Sequence, residues 1–327
     1  MSQIKVEALG TPGAIESNAG DDYHILWACR RALHLLDPSY GLSLIRVEGV
    51  SRKDEISVVD PDSFLAVDIS EYFGGTSIDD ATRVVISQLK YSQRHPDRPW
   101  TAARLCEKTG GKQERSVIAR LAQAFAGYYE GDAGASVIER LCIKLVSNRP
   151  ADQALVQAIK ASQIWLKSRQ SVKAAQLLTD LSGPHKAVIK CLQNVCALKS
   201  EAFCDFLRCL DFSDCNSDGR LWQRLRLTQE IGSIAPASPI ERVRELYDRV
   251  AMEALPKVGE LGLNRDDVLA ALGCHGYGSI FPASPSFEPL HNPIETPDAC
   301  RIVEALQACP SRSLLAHGAG GVGTTST

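Results

Sequence analysis

A lysine within an otherwise apolar strand-like run needs a physical reason to be there. The segment VVISQLKYSQR, Val84 to Arg94, places Gln88 and Lys90 two residues apart in such a run. Residues two apart on a strand share a face, so Gln88 and Lys90 lie with Ile86, while Val85 and Leu89 point to the other side. An ammonium on a half-buried strand loses hydration, a cost that is offset when carboxylates or a metal-bound anion stand beside it. Acidic residues are available upstream: Asp68 in the middle of AVDIS, and Glu48 near the end of LSLIRVEGV. A three-stranded meander would bring Glu48, Asp68, Gln88 and Lys90 to one edge. Oxygen ligands of this kind suit Mg²⁺, with Mn²⁺ as the alternative, and Gln88 would supply a neutral amide oxygen, a weaker ligand than a carboxylate. The chemistry open to such a set is metal-assisted hydrolysis of a phosphodiester, the lysine orienting or helping to deprotonate the attacking water.

The elements that must position these residues can be read from pattern. GDDYHILWACRRALHLLDP repeats Leu26, Cys29, Leu33 and Leu36 at helical spacing and stops at Pro38; Asp21 and Asp22 fit the positive end of a helix. LSLIRVEGV, SFLAVDISEYF and RVVISQLKYS then read as three successive strands. A helical stretch broken at TGG follows, then one more strand in IERLCIKLVSN. From about Pro150 the segments are almost all helical in period, until the Pro-rich FPASPSFEPLHNPIETPD forms a connector, followed by a short helix around ACRIVEALQAC. The expected division is 1–150 as the core, 151–290 as a helical extension, and 291–327 as linker and a further start.

The order helix, three strands, helix, strand, with Asp68 on the second strand and Gln88-Leu89-Lys90 on the third, resembles the restriction-endonuclease-like PD-(D/E)xK core. The stretches GDDYHILWACRRALHLL, RVEGV and QLKYSQRHPDRPWTAARL are similar to the double-stranded DNA endonuclease domain of the CD-NTase-associated nuclease family, also found at the N-terminus of antiviral STAND NTPases. The similarity spans roughly residues 15 to 210 and is strongest from Gly20 to Leu105. It implies an α/β restriction-endonuclease-like core followed by a mostly α-helical region. It further implies Asp68 and Gln88 as metal ligands, Lys90 as the catalytic lysine and Glu48 as a further acidic member. Asp54, Glu55 and Glu71 are fallback acids, because the connector SRKDEISVVDPDS leaves the strand register open. The implied activity is Mg²⁺-dependent cleavage of double-stranded DNA in a bacterial antiphage system, by a protein that self-associates. The alternative is a nuclease fold without catalysis, kept for DNA binding or scaffolding.

Simpler readings stand beside these. A Gln-x-Lys pair by itself is commonly an edge decoration with a solvated lysine. Glu48 could pair with Arg46 or Arg52. In YSQRHPDRPW, Arg94 and Arg98 could contact phosphate with Trp100 packed alongside, or form a plain solvated turn. Cys204, Cys209 and Cys215 lack metal-ligand spacing and read as buried thiols.

Near the C-terminal end of the sequence, GAGGVGTT follows the apolar run SLLAH and resembles the opening of a STAND-type phosphate loop, with Gly318, Gly323 and Thr325 at nucleotide-binding positions. Thr324 stands where the phosphate-binding lysine is needed, so ATP hydrolysis by this chain is not expected, and the chain is expected to be an interrupted form of a longer protein. An ATP-binding signalling protein is the third reading. With 327 residues, 44% of them apolar and 23% charged, the sequence fits a folded globular protein, and its formal charge of −3 gives no global attraction to nucleic acid. Eleven cysteines without a regular pairing pattern, and no secretory leader, favour a cytoplasmic setting; no apolar run is long enough to span a membrane.

Overall fold

The computed structural model describes residues 12–57, 61–108, 115–130, 134–235, 238–255 and 262–274. By contacts the chain divides into one compact unit, Met1–Gly276, and a second, Tyr277–Thr327. Everything described lies in the first unit, and residue 150 falls inside it. Gly318, Gly323, Thr324 and Thr325 of the expected phosphate loop lie outside the described residues, as do the Pro-rich connector and the ACRIVEALQAC segment.

Helix α1 (Pro12–Leu33) leads into β1 (Leu42–Val47), α2 (Arg52–Ser57), β2 (Ile69–Phe73) and β3 (Arg83–Lys90). After α3 (Ala102–Leu105) and α4 (Val117–Tyr129) come β4 (Leu141–Ser147), α5 (Gln153–Leu166), α6 (Ala174–Asp180), α7 (Gly183–Cys196) and α8 (Ser200–Cys209). The two-residue strand β5 (Leu210–Asp211), α9 (Arg220–Ile234), α10 (Pro239–Glu253) and α11 (Arg265–Ala271) complete the described elements. The five strands form one mixed sheet in the order β1-β2-β3-β4-β5, so the fold is α/β. β1, β2 and β3 are an antiparallel meander, whereas β4 and β5 are parallel to β3. The β3–β4 connection can be parallel because α3 and α4 supply the crossover that a tight turn cannot.

Alternation along the strands splits the core in two. Leu44, Tyr72, Val84, Ile86, Leu141, Ile143 and Leu145 join one apolar cluster with residues of α4, α5, α7 and α8. Ile45, Ile69 and Leu89 are equally buried but belong to the opposite side of the pleat. α1 makes its tertiary contacts with β1, α9, α10 and α11, and its Tyr23, Leu26 and Cys29 are buried there. The three cysteines Cys204, Cys209 and Cys215 are buried free thiols, and burial pushes each of them up in pKa, as expected of core cysteines.

Two expectations are corrected. The helix expected to open near Asp21 begins at Pro12, so Asp21 and Asp22 sit inside α1 rather than at its positive end. Asp22 instead meets Arg220 and Arg224 of α9 at 3.4 and 3.2 Å. Asp68, expected inside a strand, lies one residue before β2.

Asp54 is a structural carboxylate. It is buried, accepts hydrogen bonds from the Tyr72 and Tyr128 hydroxyls at 2.8 Å each, and takes the Ile78 amide at 2.9 Å. Burial raises its pKa, opposed by those three donors. The two hydroxyls stand 3.2 Å apart and can bond each other, so replacing Asp54 leaves the Ile78 amide and one hydroxyl without an acceptor. Asp54→Ala is expected to cost on the order of 3 kcal/mol and Tyr128→Phe about 1 kcal/mol. Urea unfolding of the two variants measures both.

Candidate metal centre

Side chains from three elements converge at one end of the meander: His24 of α1, Glu48 just past β1 and Asp68 just ahead of β2. One donor atom from each lies within 4.8 Å of the others, and among the described residues this is the group of three or more His, Cys, Asp or Glu side chains close enough to share a metal ion. Sheet register accounts for two of the three. Val47 pairs with Ile69, so one step further Glu48 stands opposite Asp68, and the Glu48 amide donates to the Asp68 carbonyl at 2.8 Å. Ile69 pairs with Ser87, which by the same step sets Gln88 opposite Asp68. Glu48, Asp68 and Gln88 thus form a row across three strands.

The chain turns sharply at this row. Glu48 has φ +56° and Gly49 φ +114°, both left-handed. Gly49 adopts such a backbone freely, but Glu48 does so at a cost of about 1–2 kcal/mol, and strain of this kind concentrates at functional sites.

The main chain of Leu89 positions two of the three donors. Its amide donates to Asp68 Oδ2 at 2.5 Å, and the His24 imidazole hydrogen-bonds to its backbone. A ring nitrogen held by backbone leaves the other nitrogen free to ligate, the usual arrangement for a metal-bound histidine. Desolvation draws the His24 pKa down, with Lys90 adding to it and Asp68 and Asp21 opposing, so the ring is neutral at pH 7, the form that binds metals. Glu48 is shifted the other way. Its carboxyl is pushed up to about 7, first by desolvation and then by the negative charges of Asp68 and Asp21, against a smaller lowering by Lys90. Glu48 as a residue is exposed, so the crowding of carboxylates carries more weight here than burial. Asp21, one helical turn before His24, is therefore an electrostatic member of the site.

Gln88 is 1% exposed, and its Oε1 is buried without a hydrogen-bond partner. An orphaned acceptor opposite Asp68 fits a place beside a cation. The donor set of an imidazole, two carboxylates and an amide oxygen therefore fits a divalent metal, and the nitrogen favours Mn²⁺ over Mg²⁺ relative to an all-oxygen site.

Lys90 closes β3 half-buried, and its charge acts on both His24 and Glu48. Among the described residues its ammonium makes no close ion pair. Lys144, the sheet's other inward lysine, is the ordinary case: Asp214 and Asp211 neutralise it at 2.6 and 3.2 Å. Of the fallback acids, Glu71 pairs with Arg31 at 2.7 Å, and Asp54 serves its tyrosines. Glu55 is exposed beside Gly49 and is not one of the three clustered residues. Glu48 does not pair with Arg46, which faces Glu253 at 3.6 Å.

His24 was not among the residues singled out from the sequence. Its signal was the spacing Asp21-x-x-His24, which puts both on one helical face away from the Leu26–Cys29–Leu33 stripe. Compared with known proteins, the chain matches no family model and no curated protein.

Two outcomes follow for Glu48. With a folded pKa near 7 against an ordinary 4.5, the metal-free folded state binds more protons than the unfolded chain between those values. This group's contribution to stability therefore falls as pH rises through that window, and thermal melts of Glu48→Gln should lose less across it than the parent. Glu48→Gly removes the left-handed strain as well, and is expected to gain about 1 kcal/mol in denaturant while losing metal affinity by calorimetric titration.

Proposed function

We propose that this chain is a metal-dependent nuclease that hydrolyses phosphodiester bonds of double-stranded DNA. The observation that carries this reading is the convergence of His24, Glu48 and Asp68 beside an ammonium, Lys90, that has no close carboxylate partner among the described residues. A divalent cation held by His24, Glu48, Asp68 and Gln88 would draw charge from the scissile phosphate and make water a better nucleophile. Asp68, fixed by the Leu89 amide, contributes a ligand that need not reorganise when substrate arrives. His24 stays neutral and oriented by the same residue. Lys90 can donate hydrogen bonds to a phosphate oxygen and to the attacking water, holding that water in line.

Substrate class and biological setting rest on the sequence. The resemblance of residues 15 to 210 supports double-stranded DNA as substrate and a role as an antiphage effector linked to a STAND-type NTPase. Self-association has available surface in Leu221 and Trp222 of α9 and Ile240 of α10, which are 71%, 61% and 77% exposed. Among the described residues, no helix is long and apolar enough to cross a membrane. A binding module without catalysis is favoured by two features, a neutral glutamine in the ligand row and a Glu48 that holds its proton up to about 7.

Cleavage of supercoiled plasmid separates the two readings. The nuclease is expected to nick it with Mn²⁺, less rapidly with Mg²⁺, and not at all with EDTA. Asp68→Asn and Lys90→Met should each slow the reaction on the order of 100-fold or more with unchanged circular dichroism. Plasmid left intact under every metal condition establishes the binding module instead.

A further inference from the structure

Apart from the metal centre, a group of arginines without carboxylate partners among the described residues lies around the segment that follows Lys90. Arg104 Nη1 donates to the Pro99 carbonyl at 3.0 Å, and Arg149 Nε donates to the carbonyl of Arg98 at 2.6 Å. The Arg149 guanidinium stacks 4.7 Å above the ring of Trp100. Trp100 is itself buried and tied by backbone, its amide to Pro150 at 2.7 Å and its carbonyl to the Asp152 amide at 3.0 Å. Two successive carbonyls and one indole thus fix two arginines, with Arg98 exposed beside them. Burial lowers the pKa of Arg149, and Arg104 and then Arg98 lower it further, against one opposing carboxylate, Glu107.

None of the three forms an ion pair among the described residues, whereas Arg30, Arg31 and Arg249 each have a carboxylate within 3.0 Å. Like charges held together by the fold are destabilising until an anion joins them, and guanidinium groups suit phosphate through paired N–H donors. A shallow cleft of about 490 Å³, lined by Arg98, Thr101, Arg104 and Glu107 among others, gives the anion room. The position matters as well. Ser92 and Asn148 exchange two hydrogen bonds, amide to Oδ1 at 2.9 Å and Nδ2 to carbonyl at 2.8 Å, which fasten this segment to the end of β4. The arginines therefore sit at the same strand ends as Lys90.

We propose that Arg98, Arg104 and Arg149 form a cradle for a backbone phosphate of duplex DNA, away from the bond that is cut. The identity of the anion rests on the nuclease reading, while the cradle rests on its own geometry. The test is binding of a labelled DNA duplex in EDTA, followed by fluorescence anisotropy over a salt series. Arg98→Gln and Arg104→Gln are each expected to weaken binding several-fold and to reduce the slope of log K against log salt by about 0.9, the value for one lost phosphate contact. Arg98 has no structural side-chain bond to lose, and Arg98→Lys should retain the slope. Unchanged affinity and slope in both glutamine variants overturn the cradle. If that happens with a protein that still nicks plasmid, the nuclease reading stands; a reduced slope in a protein that never nicks supports the cradle and sinks catalysis. A parent chain that does not bind the duplex overturns the cradle, and the nuclease reading is then decided by the plasmid assay alone.

Discussion

Leu89 offers no reactive group, yet the candidate metal centre is organised around its peptide. The side chain is fully buried in one face of the sheet, and β3–β4 pairing sets it beside Val146. Its amide is committed to Asp68 and its backbone also receives His24, so two ligands on separate elements take their positions from one residue of β3. Gln88 and Lys90 flank it and point to the other face, Gln88 within the ligand row and Lys90 at the strand end. A register slip of one residue would exchange these faces and bring Leu89 where Gln88 stands. The slip would also undo the pairing that seats Ile86 against Ile143 and Leu89 against Val146. The hydrophobic pattern of β3 therefore fixes the geometry of a polar site.

The same strand ends concentrate unbalanced charge of both signs. Desolvation, together with the negative charges of Asp68 and Asp21, pushes the Glu48 carboxyl up to about 7, while Arg98, Arg104 and Arg149 crowd around Trp100. Other charges among the described residues are settled by close partners: Lys144 by Asp211 and Asp214, Arg31 by Glu71, Arg249 by Glu253 and Asp267. Together with the left-handed backbone of Glu48, this edge is kept at the expense of stability. A cation on one cluster and an anion on the other would relieve both. A phosphodiester backbone with its divalent counter-ion has that charge arrangement, which is why the two clusters support a common reading.

What could be read from the sequence followed from short-range periodicity. Short runs rich in β-branched residues and bounded by turn residues, such as RVVISQLK, identify the strands, and a meander of three of them allows Glu48, Asp68 and Gln88 to reach one edge. The register that sets them in a row is fixed only by the pairing of β1, β2 and β3. His24 was hidden because its role depends on where α1 lies against β3, a contact between residues far apart in sequence. Asp54 and Glu71 were ambiguous for the same reason. Tyr128 and Arg31 decide that these acids are structural, and no local pattern names those partners. The helix start was misplaced because Asp21 and Asp22 resemble N-terminal charges, although one faces the metal cluster and the other is bound to α9.

That last pair shows how the helical region bears on the site. α1 carries His24, and α9 grips α1 along its length: Asp22 to Arg220 and Arg224, Arg30 to Glu230 at 2.5 Å and to Gln223 at 2.8 Å. Between these contacts the Tyr23 hydroxyl meets Ser217 at 2.5 Å, just ahead of α9, while its ring stacks 5.1 Å from Tyr91, the residue after Lys90. His24 follows Tyr23 directly, so rotation or sliding of α1 would move the imidazole away from Asp68 and break the stack on β3. A sheet and α1 alone would leave Asp22 and Arg30 on the polar face of that helix without these partners. The residues after Pro150 thus do more than add mass: through α9 they hold a ligand-bearing helix in register with the strand that bears the lysine.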